Sequence, residues 1–301
     1  MKKQFLIIGV SLLLFSCGDG NIDVESENTN PDEISVINDS IIDNMDNYTT
    51  KIGGKMFSIP SPIQMSLLLK EEVSTFNEEM ISNPDNVSNY STTFKKAINM
   101  GVYGSDLGYA TMYENNTVAL SYLNSIEKLS DELGIADAFD EELINRFIEN
   151  GNNQDSMLVI MSDGYREGDR FLKENEQHDI ASLILTGGWI ESLYFATQTY
   201  KLSKKQNIAN RIGEQKSALN TIIELLEDYN QGNDYSQLIN DLNDLKTDFN
   251  NIDFNYQYVE PQTNEEQGLT VIKSKTSVKI NEETMNNITS KTEKIRNNLI
   301  G

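Results

Sequence analysis

One histidine, His178, and one cysteine, Cys17, are all the 301 residues offer of the side chains that most often bind metals or act as nucleophiles. A lone histidine excludes multi-histidine metal sites and makes any Ser-His-Asp triad depend on that single residue. A lone cysteine has no disulfide partner and builds no thiolate cluster. Positive charge is scarce as well: 24 Lys and Arg stand against 47 Asp and Glu, a net charge of −23. That balance argues against nucleic acid, whose binding rests on Lys and Arg neutralising phosphates. It argues equally against adsorption to anionic lipid through a basic face. The acidity reads first as a solubility device, with a cationic partner as the lesser alternative.

Motifs with a chemical mechanism are equally sparse. The chain holds no Gly-x-Ser-x-Gly elbow, no P-loop and no His-Glu-x-x-His, and no cofactor is expected. Ser125-Ile126-Glu127-Lys128 matches Ser-x-x-Lys without the companion motifs that give the pattern meaning. Asp163 to Glu174 has the length of a calcium loop, but Tyr165 stands where a third ligand is needed. His178 lies in Glu176-Gln177-His178-Asp179, a charged helix start where a solvated or capping histidine is expected.

What is present begins with the N-terminus. Lys2 and Lys3 precede an apolar run from Phe5 to Phe15, the layout of a secretory signal peptide and too short to span a bilayer. Leu14-Phe15-Ser16-Cys17 resembles the lipobox of bacterial lipoproteins, with Phe15 as its one departure. The resemblance implies cleavage before Cys17, a diacylglycerol on its sulfur and an acylated amine, enough chains for stable anchoring. Loss of Lys2 and Lys3 would take the net charge to −25. Residues 17–33 follow as an acidic tether carrying Asp19, Asp23, Glu25, Glu27, Asp32 and Glu33 and almost nothing apolar. Such a stretch is expected to stay flexible and to reach roughly 25 Å from the membrane. Its acids also resemble the surface-export signals of Bacteroidota lipoproteins, so the periplasmic and outward faces of the outer membrane both stay open.

Residues 34–301 read as a single, mainly α domain. Ser61, Pro62 and Gln64 form a helix start with a capping box, followed on one face by Met65, Leu69, Val73, Phe76 and Met80. Leu120, Leu123, Ile126 and Leu129 mark a second helix ending near Gly134, and a short one covers Asp140 to Asn150. The stretch from Ile180 to Tyr200 is apolar nearly all round and predicts a buried central helix. Its Gly187 and Gly188 cost about 1 kcal/mol each inside a helix, so a closely approaching neighbour backbone is expected to compensate. Ile208–Leu226, Leu238–Ile252 and Met285–Leu299 carry apolar residues at steps of three and four, predicting antiparallel helices packed as a bundle. Between the last two, Phe254, Tyr256 and Tyr258 alternate, as do Ile272 to Ile280, which predicts a small β-hairpin near 254–280.

Gly101, Gly104 and Gly108 interrupt a helical stretch and predict a helix–loop–helix corner. A functional reading makes that corner a pocket edge, where Tyr103, Asp106 and Tyr109 meet a ligand or partner beside Trp189. Phe57–Pro62, Gly101–Tyr109 and Gly187–Tyr194 together resemble a family of Bacteroidota envelope lipoproteins, and the resemblance spans most of the mature chain. It implies an envelope location and carries no activity with it. Imelysin-type lipoproteins are excluded, because Glu176 and Ala181 stand where their Gly-x-His-x-x-Glu motif needs Gly and Glu. Asp39-Ser40-Ile41 and Asp155-Ser156-Met157 resemble the O-glycosylation pattern of that phylum, Ser40 being the better placed. The expected function is a non-catalytic interaction subunit of an envelope assembly, held to the membrane by lipid on Cys17 and docked to an envelope protein. The alternative is a small-ligand-binding lipoprotein with its pocket at Gly101–Tyr109.

Overall fold

The computed structural model describes residues 49–52, 55–58, 62–139, 141–264, 269–271 and 275–301. The chain divides into two units, Met1–Asn38 and Asp39–Gly301, and every described residue belongs to the second. Cys17, the acidic tether, Ser40 and the capping residue Ser61 lie outside the described residues.

Nine α-helices occur among the described residues. The first is α1 (Pro62–Glu72), which opens at Pro62 as expected of a residue with no N–H to leave unpaired. It ends at Glu72, short of the expected Met80. Asn77 and Asn83 instead turn the chain by accepting hydrogen bonds from the Glu79 and Asp85 backbone N–H groups, and two short 3-10 turns follow (Glu78–Met80 and Pro84–Asn89). Next come α2 (Thr93–Met112), α3 (Asn116–Leu133), α4 (Glu141–Glu149), α5 (Gln154–Glu174) and α6 (His178–Ser203). Gly134 closes α3 with φ 72°, the left-handed conformation glycine adopts at least cost. Then follow α7 (Gln206–Tyr229), α8 (Ser236–Phe249) and α9 (Glu282–Ile300). Asparagine caps recur at Asn115, Asn153 and Asn281, each accepting from a backbone N–H three residues on.

The fold is mainly α, a multi-helix bundle around the α2–α6 pair. Every residue of α2 from Ala97 to Met112 is buried, and α6 is buried over most of its length. The α6 helix is long and apolar enough to cross a membrane, but its surface is taken by other helices of the bundle. Helices α1, α7 and α9 pack on α6, α3 packs along α2, and α8 lies between α7 and α9. The positions marked by helical spacing in α7, α8 and α9, from Ile208 to Leu226, Leu238 to Phe249 and Met285 to Leu299, face this core.

The expected corner at Gly101–Tyr109 does not exist: α2 runs unbroken through it. Its glycines serve close packing rather than a turn. A Cβ on Gly101 would lie 1.9 Å from the carbonyl oxygen of Ile184, and one on Gly187 the same distance from that of Ile98. The two helices therefore touch backbone to backbone, and this contact compensates for glycine in both interiors.

The β-structure is small. Strands β1 (Thr49–Ile52) and β2 (Lys55–Ser58) form an antiparallel pair that the sequence pattern did not mark. Near the expected hairpin, β3 (Asp253–Gln257) pairs antiparallel with β6 (Lys275–Lys279), Phe254 opposite Val278. A second ladder, β4 (Gln262–Asn264) with β5 (Leu269–Val271), is nested between them in sequence. This β-arm is fastened to α7 at Val278. Val278 is buried against Gly213, and its backbone bonds to the side chains of Gln206 and Asn210.

Candidate functional site: a buried polar cluster and an exposed aromatic row

Two places in the fold carry chemistry that packing alone does not account for. The first lies beneath residues 77–90, a strap that crosses the bundle between α1 and α2. Its carbonyls are satisfied by side chains from below. Tyr103 donates to the Asn83 carbonyl at 3.2 Å, Ser125 to that of Pro84 at 3.2 Å, and Tyr122 to that of Ser82. Tyr109 accepts the Asn77 N–H at 3.2 Å. Without such partners a non-helical segment on a dry core would leave several backbone groups unpaired.

Asp106 sits at the centre of this arrangement with no exposed surface. Its Oδ2 accepts both the N–H and the hydroxyl of Ser82. Burial, and then the nearby negative charge of Glu191, push its carboxyl well above the usual carboxylate range, against the opposing pull of Ser82 and Arg296. Glu191, on α6, is likewise fully buried. Arg296, reaching in from α9, grips it with Nε 2.7 Å from Oε2 and Nη2 2.7 Å from Oε1. The same Nη2 donates to the Met80 carbonyl of the strap at 3.2 Å, and the guanidinium lies 4.2 Å from the Tyr194 ring centroid. Burial works against the charge on Arg296, but the Glu191 carboxylate outweighs it and holds the guanidinium charged.

The fold thus brings Tyr103, Asp106 and Tyr109 together beneath the strap, and all three are buried. Trp189 does not join them. Its indole Nε1 donates to Gln215 of α7 at 3.0 Å, in another part of the core. None of the four lies at the surface, which corrects their expected position on an accessible pocket edge. The physical reason is again the backbone contact at Gly101 and Gly187, which draws α2 inward. A groove of about 160 Å³ lies elsewhere, between the end of α6 and α9, lined by Tyr200, Lys201, Lys204, Met285, Thr289 and Glu293 among others.

Sequence reasoning missed Arg296 and Glu191 as a pair. A signal was present, because the single carboxylate of the apolar run from Ile180 to Tyr200 requires a buried cation. The remaining candidates have ordinary structural places. Ser125 and Lys128 both reach the strap, Lys128 through Ser88. Asp163 to Glu174 belongs to α5 and forms no calcium loop. His178 opens α6 with its ring 5.9 Å from that of Tyr229. Ser156 lies in the first turn of α5, its N–H bonded to the Asn153 cap. Among the described residues no three His, Cys, Asp or Glu side chains converge as metal ligands do.

The second place is the β-arm. Phe254 and Tyr256 alternate along β3 and Tyr258 follows just past its end; the three are 45%, 62% and 65% exposed. Alternation puts Phe254 and Tyr256 on one face, the face that Val278 joins where the arm meets α7. Lys216 of α7 lies 5.6 Å from the Phe254 ring. The two tyrosines beyond it are the most exposed aromatic rings among the described residues. Compared with family models, curated proteins and solved structures, the chain matches none.

Proposed function

We propose that this protein is a membrane-tethered, non-catalytic docking subunit of an outer-membrane protein assembly, and that the β-arm receives its partner. The carrying observation is the row of Phe254, Tyr256 and Tyr258, three aromatic rings left in water at alternate positions along β3 and just past its end. Isolated exposed hydrophobics are common on soluble domains, but an ordered row of them is a feature of interaction surfaces. Tyrosine also supplies large contact area at low entropic cost. Lipid on Cys17 supplies the anchor and the acidic tether the reach. The alternative, a small ligand held at Gly101–Tyr109, has less support, because Tyr103 and Tyr109 are bonded to the strap and Asp106 to Ser82 within it.

Tagged full-length protein, crosslinked in membranes and recovered in detergent, is expected to bring down one stoichiometric envelope protein. The triple variant Phe254→Ser, Tyr256→Ser, Tyr258→Ser should recover at least about tenfold less of it, with an unchanged circular dichroism spectrum. Equal recovery would remove the arm from the reading, and no partner above background would remove the docking function itself. The anchor is tested separately. Cys17→Ala is expected to shift the protein from the membrane pellet to the soluble fraction and abolish incorporation of labelled palmitate; retention in the pellet would rule out lipid as the tether.

A further inference from the structure

We infer that Asp106 is a neutral acid in the folded chain, that its Oδ1 hydroxyl donates to Glu191, and that this shared proton latches the strap over residues 77–90, so that the strap opens more readily as pH rises. The geometry begins with a charge count. Two carboxyl groups with no exposed surface share a site with one guanidinium. Arg296 directs its hydrogen bonds at Glu191 and the Met80 carbonyl, and none of them reaches Asp106. Asp106 Oδ2 is filled by Ser82, whereas Oδ1 receives no N–H or O–H. Glu191 is the carboxylate beside Asp106, and both its charge and a side-chain interaction with it favour keeping a proton on the Asp106 carboxyl. The oxygen that receives no donor, on a carboxyl set beside a second carboxylate in a dry core, is where a carboxylic proton belongs. With that proton in place the cluster holds one neutral acid, one carboxylate and one guanidinium, and its charge is balanced.

The same proton governs the strap. Neutral Asp106 sits comfortably in a low-dielectric site, and its other oxygen holds the Ser82 backbone and hydroxyl in place. Lifting the strap admits water to Asp106, whose carboxyl then returns towards its ordinary value of 3.8 and releases the proton to solvent. Opening is therefore coupled to loss of one proton. The sign follows directly. A carboxyl raised in the closed state favours closure most at low pH, and that advantage is lost as pH climbs from about 4 towards the raised value. The other groups facing Asp106 do not blur this dependence. Tyr103 of its own helix, Tyr122 of α3 and Tyr165 of α5 are all raised by burial above an already high phenolic value. Tyr194 of α6 and Tyr90 of the strap are shifted the same way. Arg296 stays charged throughout.

The test is hydrogen exchange read by mass spectrometry on the full chain in detergent, between about pH 5 and about pH 9, corrected for intrinsic exchange rates. Strap amides should show an opening constant that rises about tenfold per pH unit below the raised value. Amides of α6 should not follow it. In Asp106→Asn the amide replaces the hydroxyl as donor to Glu191, and strap opening should become independent of pH. A flat strap in the parent protein, or an equal slope in Asp106→Asn, would overturn the inference. Infrared difference spectra give a second readout that does not depend on strap motion. A protonated carboxyl band present in the parent and missing in Asp106→Asn is expected, and the same spectrum in both would sink the proposal.

Discussion

Gly187→Ala should destabilise the fold by at least about 3 kcal/mol, or leave no cooperative unfolding transition. The added Cβ would lie 1.9 Å from the Ile98 carbonyl oxygen, far inside any contact distance, with Val102 N at 3.3 Å. That obstacle is backbone in the buried stretch of α2, so no rotamer change relieves it. The helices must separate, and separation opens the core along both. Gly101→Ala meets the reciprocal obstruction, the Ile184 carbonyl oxygen at 1.9 Å and Gly188 N at 2.8 Å. Gly108→Ala is the internal control. There a Cβ meets only the Met161 Cε at 3.5 Å and the Ser66 Oγ at 3.8 Å, which are ordinary contacts. Urea denaturation followed by circular dichroism separates the cases. A Gly187→Ala protein within about 1 kcal/mol of the parent would mean that α2 and α6 do not cross as closely as described.

Breaking the Glu191–Arg296 pair from one side has a comparable expected cost. Arg296→Met removes the guanidinium and leaves a buried carboxylate with no counter-charge, a change worth about 3–5 kcal/mol. It also withdraws the donor from the Met80 carbonyl, so the strap loses an anchor at the same time. Against the 5–15 kcal/mol typical of whole domains, that is a large fraction of the total. Replacing both partners, as in Glu191→Leu with Arg296→Met, removes the charges together and is expected to recover most of the loss, because the desolvation cost of the pair disappears with it. A double-mutant cycle on thermal or urea unfolding reads this directly. If Arg296→Met alone were as stable as the parent, the pair would be incidental to the fold.

Much of the architecture was legible because it is written in local period. In α7, α8 and α9 the spacing of apolar residues named the buried face residue by residue, from Ile208 to Leu299. The alternation of Phe254, Tyr256 and Tyr258 located a strand. Two readings failed because apolar spacing and glycine content, taken alone, were overruled by other contacts. Three glycines in α2 look like a break, and Gly101 becomes an asset only against the Ile184–Gly188 backbone more than 80 residues on. Phe76 and Met80 continue the spacing of α1, yet the helix stops at Glu72 and Met80 belongs to the strap. Asn77 offers the chain a different hydrogen bond there, and Met80 is buried beside Tyr109. The polar cluster was the least legible part. Glu191 and Arg296 are 105 residues apart in sequence, and no spacing rule connects them.

The α2–α6 crossing also works as a search key. Where two backbones touch, a substitution at one position cannot be rescued by trimming the other, since both are already glycine. Any relative that keeps this crossing is therefore confined to glycine at the positions of Gly101 and Gly187, however far its surface has drifted. Pairing a glycine at the position of Gly101 with a later one at that of Gly187 is a filter built from sterics rather than from overall similarity. It can be applied to sequences too divergent for alignment to reach.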